Sequence, residues 1–200
     1  MRHRSGSLGL GWTPDGLTAQ YEHAARSGWL TLYEEAARRH GVRVPLLLAK
    51  DSRESCLGLC LDSDFKGDNG HGWGLAQIDD RTWTEFTSST DPRNHRAILS
   101  KGAEILRAEI DRFGGNERAG LAAYNTGPGR VRAALRRGLN VDTYTTGKDY
   151  SADVLARRDV FANLYTPPLP PAAASFSAPG GWLLAGLMLT GFAYYQRRNA

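Results

Sequence analysis

The stretch 46-LLLAKDSRESCLGLC-60 runs from a leucine-rich segment into a glycine-rich one and leaves a single glutamate, Glu54, at the junction. A carboxylate that only decorates a surface gains nothing from that place. One that must hold its proton near neutral pH gains from an apolar wall, because the charged form loses its hydration there. Pro45 opens the segment as a first-turn helical proline, and the helix is expected to run through Leu46, Leu47 and Leu48 to about Glu54.

Working outward, the preceding sequence reads as helical from Thr13-Pro14-Asp15, a capping residue followed by a first-turn proline. Apolar residues then recur every three or four positions until Gly41, a helix-ending glycine. Residues 62–79, DSDFKGDNGHGWGLAQID, hold too many Gly and Asp for a helix and read as a loop or a small hairpin. Helical periodicity returns in RNHRAILSKGAEILRAEIDRFGG, where Ala97, Ile98, Ile105, Leu106 and Ile110 form one stripe. NERAGLAAYNTG with Asn116 as cap, PGRVRAALRRG, and KDYSADVLARRDVFANLY give three further helices. The expected fold is mostly α, with a short irregular or β insert.

The chain has 200 residues, 41% hydrophobic and 23% charged, enough for one packed domain with some left over. Four segments are expected: an N-terminal tail (1–15), a helical domain (16–165), a Pro/Ala/Ser-rich linker (166–181) and a hydrophobic helix (182–198). The 14 apolar residues 182–195 span about 21 Å as a helix, less than a ~30 Å hydrocarbon core. Counting from Ala174 gives 22 uncharged residues, with Trp182, Tyr194 and Tyr195 at interfacial positions and Arg197-Arg198 beyond. The preferred reading is a membrane-inserted helix; the alternative is a tail that packs on a partner protein. The N-terminus is basic but lacks the apolar stretch and cleavage site of a secretory signal, so no general secretion is expected. A net charge of +4 suits an anionic partner such as a cell wall or membrane face, although so small an excess is commonly just a solvated surface. No nucleic-acid partner is expected.

Cys56 and Cys60 are the only cysteines. On a regular helix they stand too far apart for an unstrained bridge, although Gly58 permits one by ending the helix; two free, partly buried thiols are the preferred expectation. With His71 or Asp68 they match no structural zinc spacing, and no metal or cofactor is expected.

Three acids organise the chemistry: Glu54, and Asp68 and Asp79 on either side of GHGWGLAQ. Glycoside hydrolysis needs one carboxylic acid that is still protonated and carboxylate help for water. Leu46–Leu48 and Trp73 are the expected apolar wall for Glu54. Asp68 and Asp79, in a polar glycine loop, are expected to stay ionised; their plainer readings are a turn residue and a helix cap.

The run SRES … GDNGHGWGLAQID … GLAAYNTGPGRVR … KDYSADVLARR, over roughly residues 30–165, resembles the goose-type lysozymes and, more broadly, their lysozyme-like and lytic-transglycosylase relatives. The resemblance implies a lysozyme-like fold with the β insert in its cleft, and action on the alternating N-acetylglucosamine and N-acetylmuramic acid strands of peptidoglycan. By motif it implies Glu54 as catalytic acid, and Asp68 and Asp79 as the pair that holds and activates water. It implies substrate contacts from Gly74, Gln77, Ile78, Tyr124 and Asn125, with Tyr150 near the acid; Trp73 is a candidate substrate contact by stacking on a sugar ring. Two departures stand out: Ala76 replaces the usual Met of G-L-M-Q, and Lys50-Asp51 stands where apolar residues often precede SRES. Asp51 is read as a solvated surface residue.

The expected activity is therefore an inverting lysozyme that cleaves the β-1,4 bond from N-acetylmuramic acid to N-acetylglucosamine, in a bacteriophage lysis or entry setting, with a bacterial wall-remodelling enzyme exported by another route as the runner-up. The alternatives are a lytic transglycosylase, which needs one Glu and no water-activating pair, and a non-catalytic wall-binding or virion-structural protein. Trp83 is a candidate for stacking on sugar, His71 a loop hydrogen-bond partner, and the arginines at 130, 132, 136 and 137 either contact anionic polymer or form a solvated helix face.

Overall fold

A computed structural model describes residues 13–167. The N-terminal residues 1–12, nearly all of the linker, and the hydrophobic helix expected at 182–198 lie outside the described residues. Among the described residues no helix is long and apolar enough to cross a membrane.

Helix α1 (Pro14–Arg26) starts where the sequence predicts, with Thr13 Oγ1 accepting from the Gly16 amide at 3.0 Å. The single helix expected up to Gly41 is in fact two. The chain leaves the helical path at Ser27, Gly28 turns with φ 71°, and α2 (Trp29–His40) follows. The periodicity persists across this break because both helices bury one stripe against the same core, and a glycine with positive φ joins them at no steric cost. Gly41, φ 64°, ends α2 as expected.

Helix α3 (Val44–Ser55) is largely buried. It packs chiefly against α8 (Tyr150–Leu164), with α2 and α1 on other sides. Val44, Leu46, Leu47, Leu48 and Ala49 are all buried, and so are Lys50, Asp51, Ser52 and Ser55. Each buried leucine contributes about 1.5–3 kcal/mol by leaving water. Asp51 is 1% exposed, so its expected place on a solvated surface is wrong.

The glycine-rich stretch forms a three-stranded antiparallel sheet, β1 (Lys66–Gly67), β2 (Gly72–Trp73) and β3 (Ile78–Asp79), one strand more than a hairpin. Gly67 and Gly72 leave room there for the Gln77 carboxamide, since a Cβ on either would stand 2.0 or 2.2 Å from Gln77 Oε1. A short helix, α4 (Thr84–Ser89), leads to α5 (His95–Arg112), which packs on α2 and on α6 (Glu117–Thr126). Asn94 and Asn116 cap α5 and α6 through Oδ1. Helix α7 (Pro128–Arg136) and two 3-10 turns return the chain to α8. The domain is mostly helical with a small sheet, as expected.

Past Ser55 the chain does not continue as a helix. Cys56 and Leu57 take φ of 52° and 49°, the Cα atoms of Cys56 and Cys60 come to 5.4 Å, and the two form a disulfide. The expectation of free thiols therefore fails: Gly58, φ 90°, lets the chain turn that far. Both sulfurs are thereby removed from any zinc set.

Candidate active site

The four residues of SRES each fasten the end of α3 to a different neighbour. Ser52 Oγ donates to Gln20 Oε1 on α1 at 2.6 Å and accepts from Arg157 Nη1 on α8 at 3.0 Å. Arg53 pairs with Asp153 at 2.8 Å and Asp149 at 3.2 Å. Glu54 Oε1 accepts from the Tyr150 hydroxyl at 2.5 Å. Ser55 Oγ donates to the Leu75 carbonyl at 2.8 Å, which ties the helix to the sheet. Asp142 in turn fixes the start of α8 by accepting from the Ser151 amide and hydroxyl at 2.8 and 2.6 Å, so Tyr150 is held from below. Gln20, Asp142, Asp153 and Arg157 were not legible as site residues, because their role depends on partners 9 to 105 positions away.

Glu54 is partly buried at the C-terminal end of α3, where the helix dipole also disfavours a negative charge. Its pKa is raised to about 7, chiefly by burial, against the opposing pull of the Tyr150 hydrogen bond and the nearby cations Lys50 and Arg53; Asp51 pushes it further up. Tyr150 is fully enclosed and its phenol is held well above the usual range, so it serves as a neutral donor. The raised pKa expected of an acid after the leucine run is thus found, but the group packed on the carboxyl is Tyr150 of α8, while Leu46, Leu47 and Leu48 belong to the core.

Glu54 opens on a cleft of about 1010 Å³ whose lining includes Asp68, Gln77, Ile78, Asp79, Tyr124, Asn125 and Tyr150. Trp83, His71 and Arg130 line it as well. Trp73 and Gly74 do not. Trp73 packs against the cluster of Ala76, Ile78, Ile98 and Ile105, under the Lys66 ammonium at 4.3 Å, and so supplies no wall to Glu54. Gly74, φ 64°, presses on α5 and the Pro92 carbonyl, where a Cβ would stand 2.7 Å from Ile98 Cγ2 and 2.9 Å from that oxygen.

The two aspartates meet across Arg81, which sequence reading overlooked. Its guanidinium donates from Nη2 to Asp68 Oδ2 at 3.0 Å, and from Nε and Nη2 to the two oxygens of Asp79 at 3.0 Å each. Hydrogen bonds from Arg81 hold the Asp79 carboxyl below its ordinary value. Tyr124 places its ring in the cleft but uses its hydroxyl inside, donating to the Ala76 carbonyl at 2.8 Å. Asn125 Oδ1 accepts from the Thr146 amide at 2.9 Å. His71 Nδ1 lies 2.9 Å from Asp80 Oδ1, a loop contact of the kind expected. Among the described residues no cluster of His, Cys, Asp and Glu has the makings of a metal site.

An acid whose proton is held by burial, sharing a cleft with two aspartates of which Asp79 is held below its ordinary value, is the equipment for acid-assisted cleavage of an acetal. The model of the lysozyme g family matches residues 19–164. Among curated proteins, the lysozyme G of Dromaius novaehollandiae is 30% identical over 154 residues, 72% of this chain and 71% of that protein. The lysozyme g of Casuarius casuarius is 33% identical over 66% of this chain and 71% of its own length, and that of Takifugu rubripes 30% over 74% and 80%. Among solved structures, the lytic transglycosylase Slt of Pseudomonas aeruginosa, crystallised as an inactive mutant, superposes with a TM-score of 0.56 at 21% identity. That match covers 76% of this chain but 31% of the transglycosylase, and concerns the fold alone.

Proposed function

This chain belongs to the lysozyme g family, and from that premise we propose that its cleft cleaves the β-1,4 bond between N-acetylmuramic acid and N-acetylglucosamine, with Glu54 as general acid. The chain is a glycoside hydrolase, a muramidase that cleaves peptidoglycan. Glu54 gives its proton to the glycosidic oxygen as the bond to the anomeric carbon lengthens. Positive charge then develops on the sugar, and a water positioned by Asp68 and Asp79 attacks the opposite face, with inversion. Substrate contacts are assigned to Gln77, Ile78, Tyr124 and Asn125 along the wall. The observation that carries this reading is the divergence of the carboxyls. Burial pushes Glu54 up to about 7 while hydrogen bonds from Arg81 push Asp79 down.

A second reading draws on Arg81. An aspartate already paired with a guanidinium is a weak base, and without water activation the sugar's own hydroxyl attacks, as in a lytic transglycosylase. Mass spectrometry of digested peptidoglycan separates the two, since anhydro products are lighter by one water. Hydrolysis predicts reducing-end muropeptides, and anhydro ends as the main product would overturn it.

The setting we infer from sequence alone is membrane contact through residues 182–195 and a role in phage lysis or entry, with peptidoglycan as the target.

A further inference from the structure

The helix that carries Glu54 also buries two charges that the reaction does not touch. Lys50 and Asp51 are 0% and 1% exposed and form an ion pair. Lys50 lies four residues before Glu54, so the two share a face of α3. Its Nζ donates to the Tyr124 hydroxyl at 3.1 Å, and that hydroxyl donates to the Ala76 carbonyl. The ammonium has a chamber built for it: a Cβ on Gly102 of α5 would stand 3.0 Å from Nζ and 2.7 Å from Ala76 Cβ. A bonded chain thus runs from α3 through α6 to the residue just before Gln77, Ile78 and Asp79. Burying an ion pair rarely stabilises more than an apolar pair of the same volume, so stability alone does not account for these two residues.

We propose that Lys50 and Asp51 are a buried positioning dyad for Glu54, whose opposite charges act in opposition on the acid's proton while the Lys50–Tyr124–Ala76 chain keeps the sheet wall in register with it. This rests on the reading of Glu54 as the acid. The groups that bear on Glu54 are Lys50, Asp51 and Arg53 of α3 and the hydroxyls of Tyr150 on α8 and Tyr124 on α6. Arg53 is itself held by Asp149 and Asp153. The Tyr33 hydroxyl of α2 faces Asp51. Lys50 lowers the acid's pKa and Asp51 raises it, and Asp51 keeps the lysine charged despite burial.

The test is a carbon-13 NMR titration of the Glu54 side-chain carboxyl in the full chain, in Asp51→Asn, in Lys50→Met and in Lys50→Met/Asp51→Asn. Removing Asp51 alone leaves an unbalanced cation, so Glu54 should titrate about one unit lower. Removing the lysine, alone or with its partner, should leave Glu54 at or above its original value. If the pair only filled space, every substitution would admit water and lower the pKa. A fall in all three variants, or in none, overturns the proposal. A fall in either variant lacking Lys50 overturns it even if Asp51→Asn fails to fold. The alkaline limb of kcat/KM for wall clearing should track the NMR values. NMR shifts without that tracking would instead remove Glu54 from its role as the acid and leave the dyad's hold on its titration intact.

Discussion

At the residue scale, the protein depends on how tightly one side chain keeps a proton. As the proposed general acid Glu54 must be protonated to act, so activity should fall as pH rises through about 7. Tyr150→Phe removes a hydrogen bond that favours the charged form, which should move that alkaline limb upward by about half to one unit. Glu54→Gln should lower wall clearing by about 10²–10⁴-fold. It carries a stability signature as well. The folded pKa of Glu54 lies above its unfolded value, so the folded state binds the proton more tightly. Deprotonation therefore costs stability, with no cost below about pH 4.5 and the full cost above about pH 7. After allowance for partial contact with solvent this amounts to about 1–3 kcal/mol. Thermal melts of Glu54→Gln should gain on the parent across that window; a constant gap would contradict the shift. The partly buried place of Glu54 was legible in the leucine run before it. The place of Arg81 was not, since its two partners converge only when β1 and β3 are brought into one sheet.

At the element scale, the cleft wall is a sheet of two-residue strands held by close contacts rather than by its own ladder. Gly74 is one of those contacts. Gly74→Ala would place a methyl against the Pro92 carbonyl and Ile98 at a positive φ, and should cost about 2 kcal/mol or more. The expected readout is a lower Tm with far-UV helicity intact and with reduced wall clearing, because the segment bearing Gln77 and Asp79 loses its seat. The caps of α1 and α6, the first-turn proline of α3 and the stop of α2 were legible because each is local: a threonine, an asparagine, a proline, a glycine. The break at Gly28 was missed because periodicity reports which face is buried and says nothing of a change in axis.

At the scale of the whole molecule, the described residues form the domain and its cleft, and the expected tail lies beyond them. A chain lacking residues 174–200 should clear wall suspensions as fast per molecule as the full chain. Membrane fractions should retain the full chain and release the shortened one, and equal partitioning would end the proposed membrane contact. What the sequence determined by itself is local in cause: helix starts and stops, the mostly α class, and an acid set at the end of an apolar run. Its motifs placed Glu54, Asp68, Asp79, Tyr124 and Asn125 in one site, and all five do line one cleft. Only the tertiary structure decided the rest. It closed Cys56 onto Cys60, drew Trp73 away from the acid, buried Lys50 with Asp51 and set Arg81 between two aspartates. Each of these depends on which groups meet in space: the cost of burying a charge follows the water it loses, and the gain from pairing it follows the distance to its partner, and neither follows the order of residues along the chain.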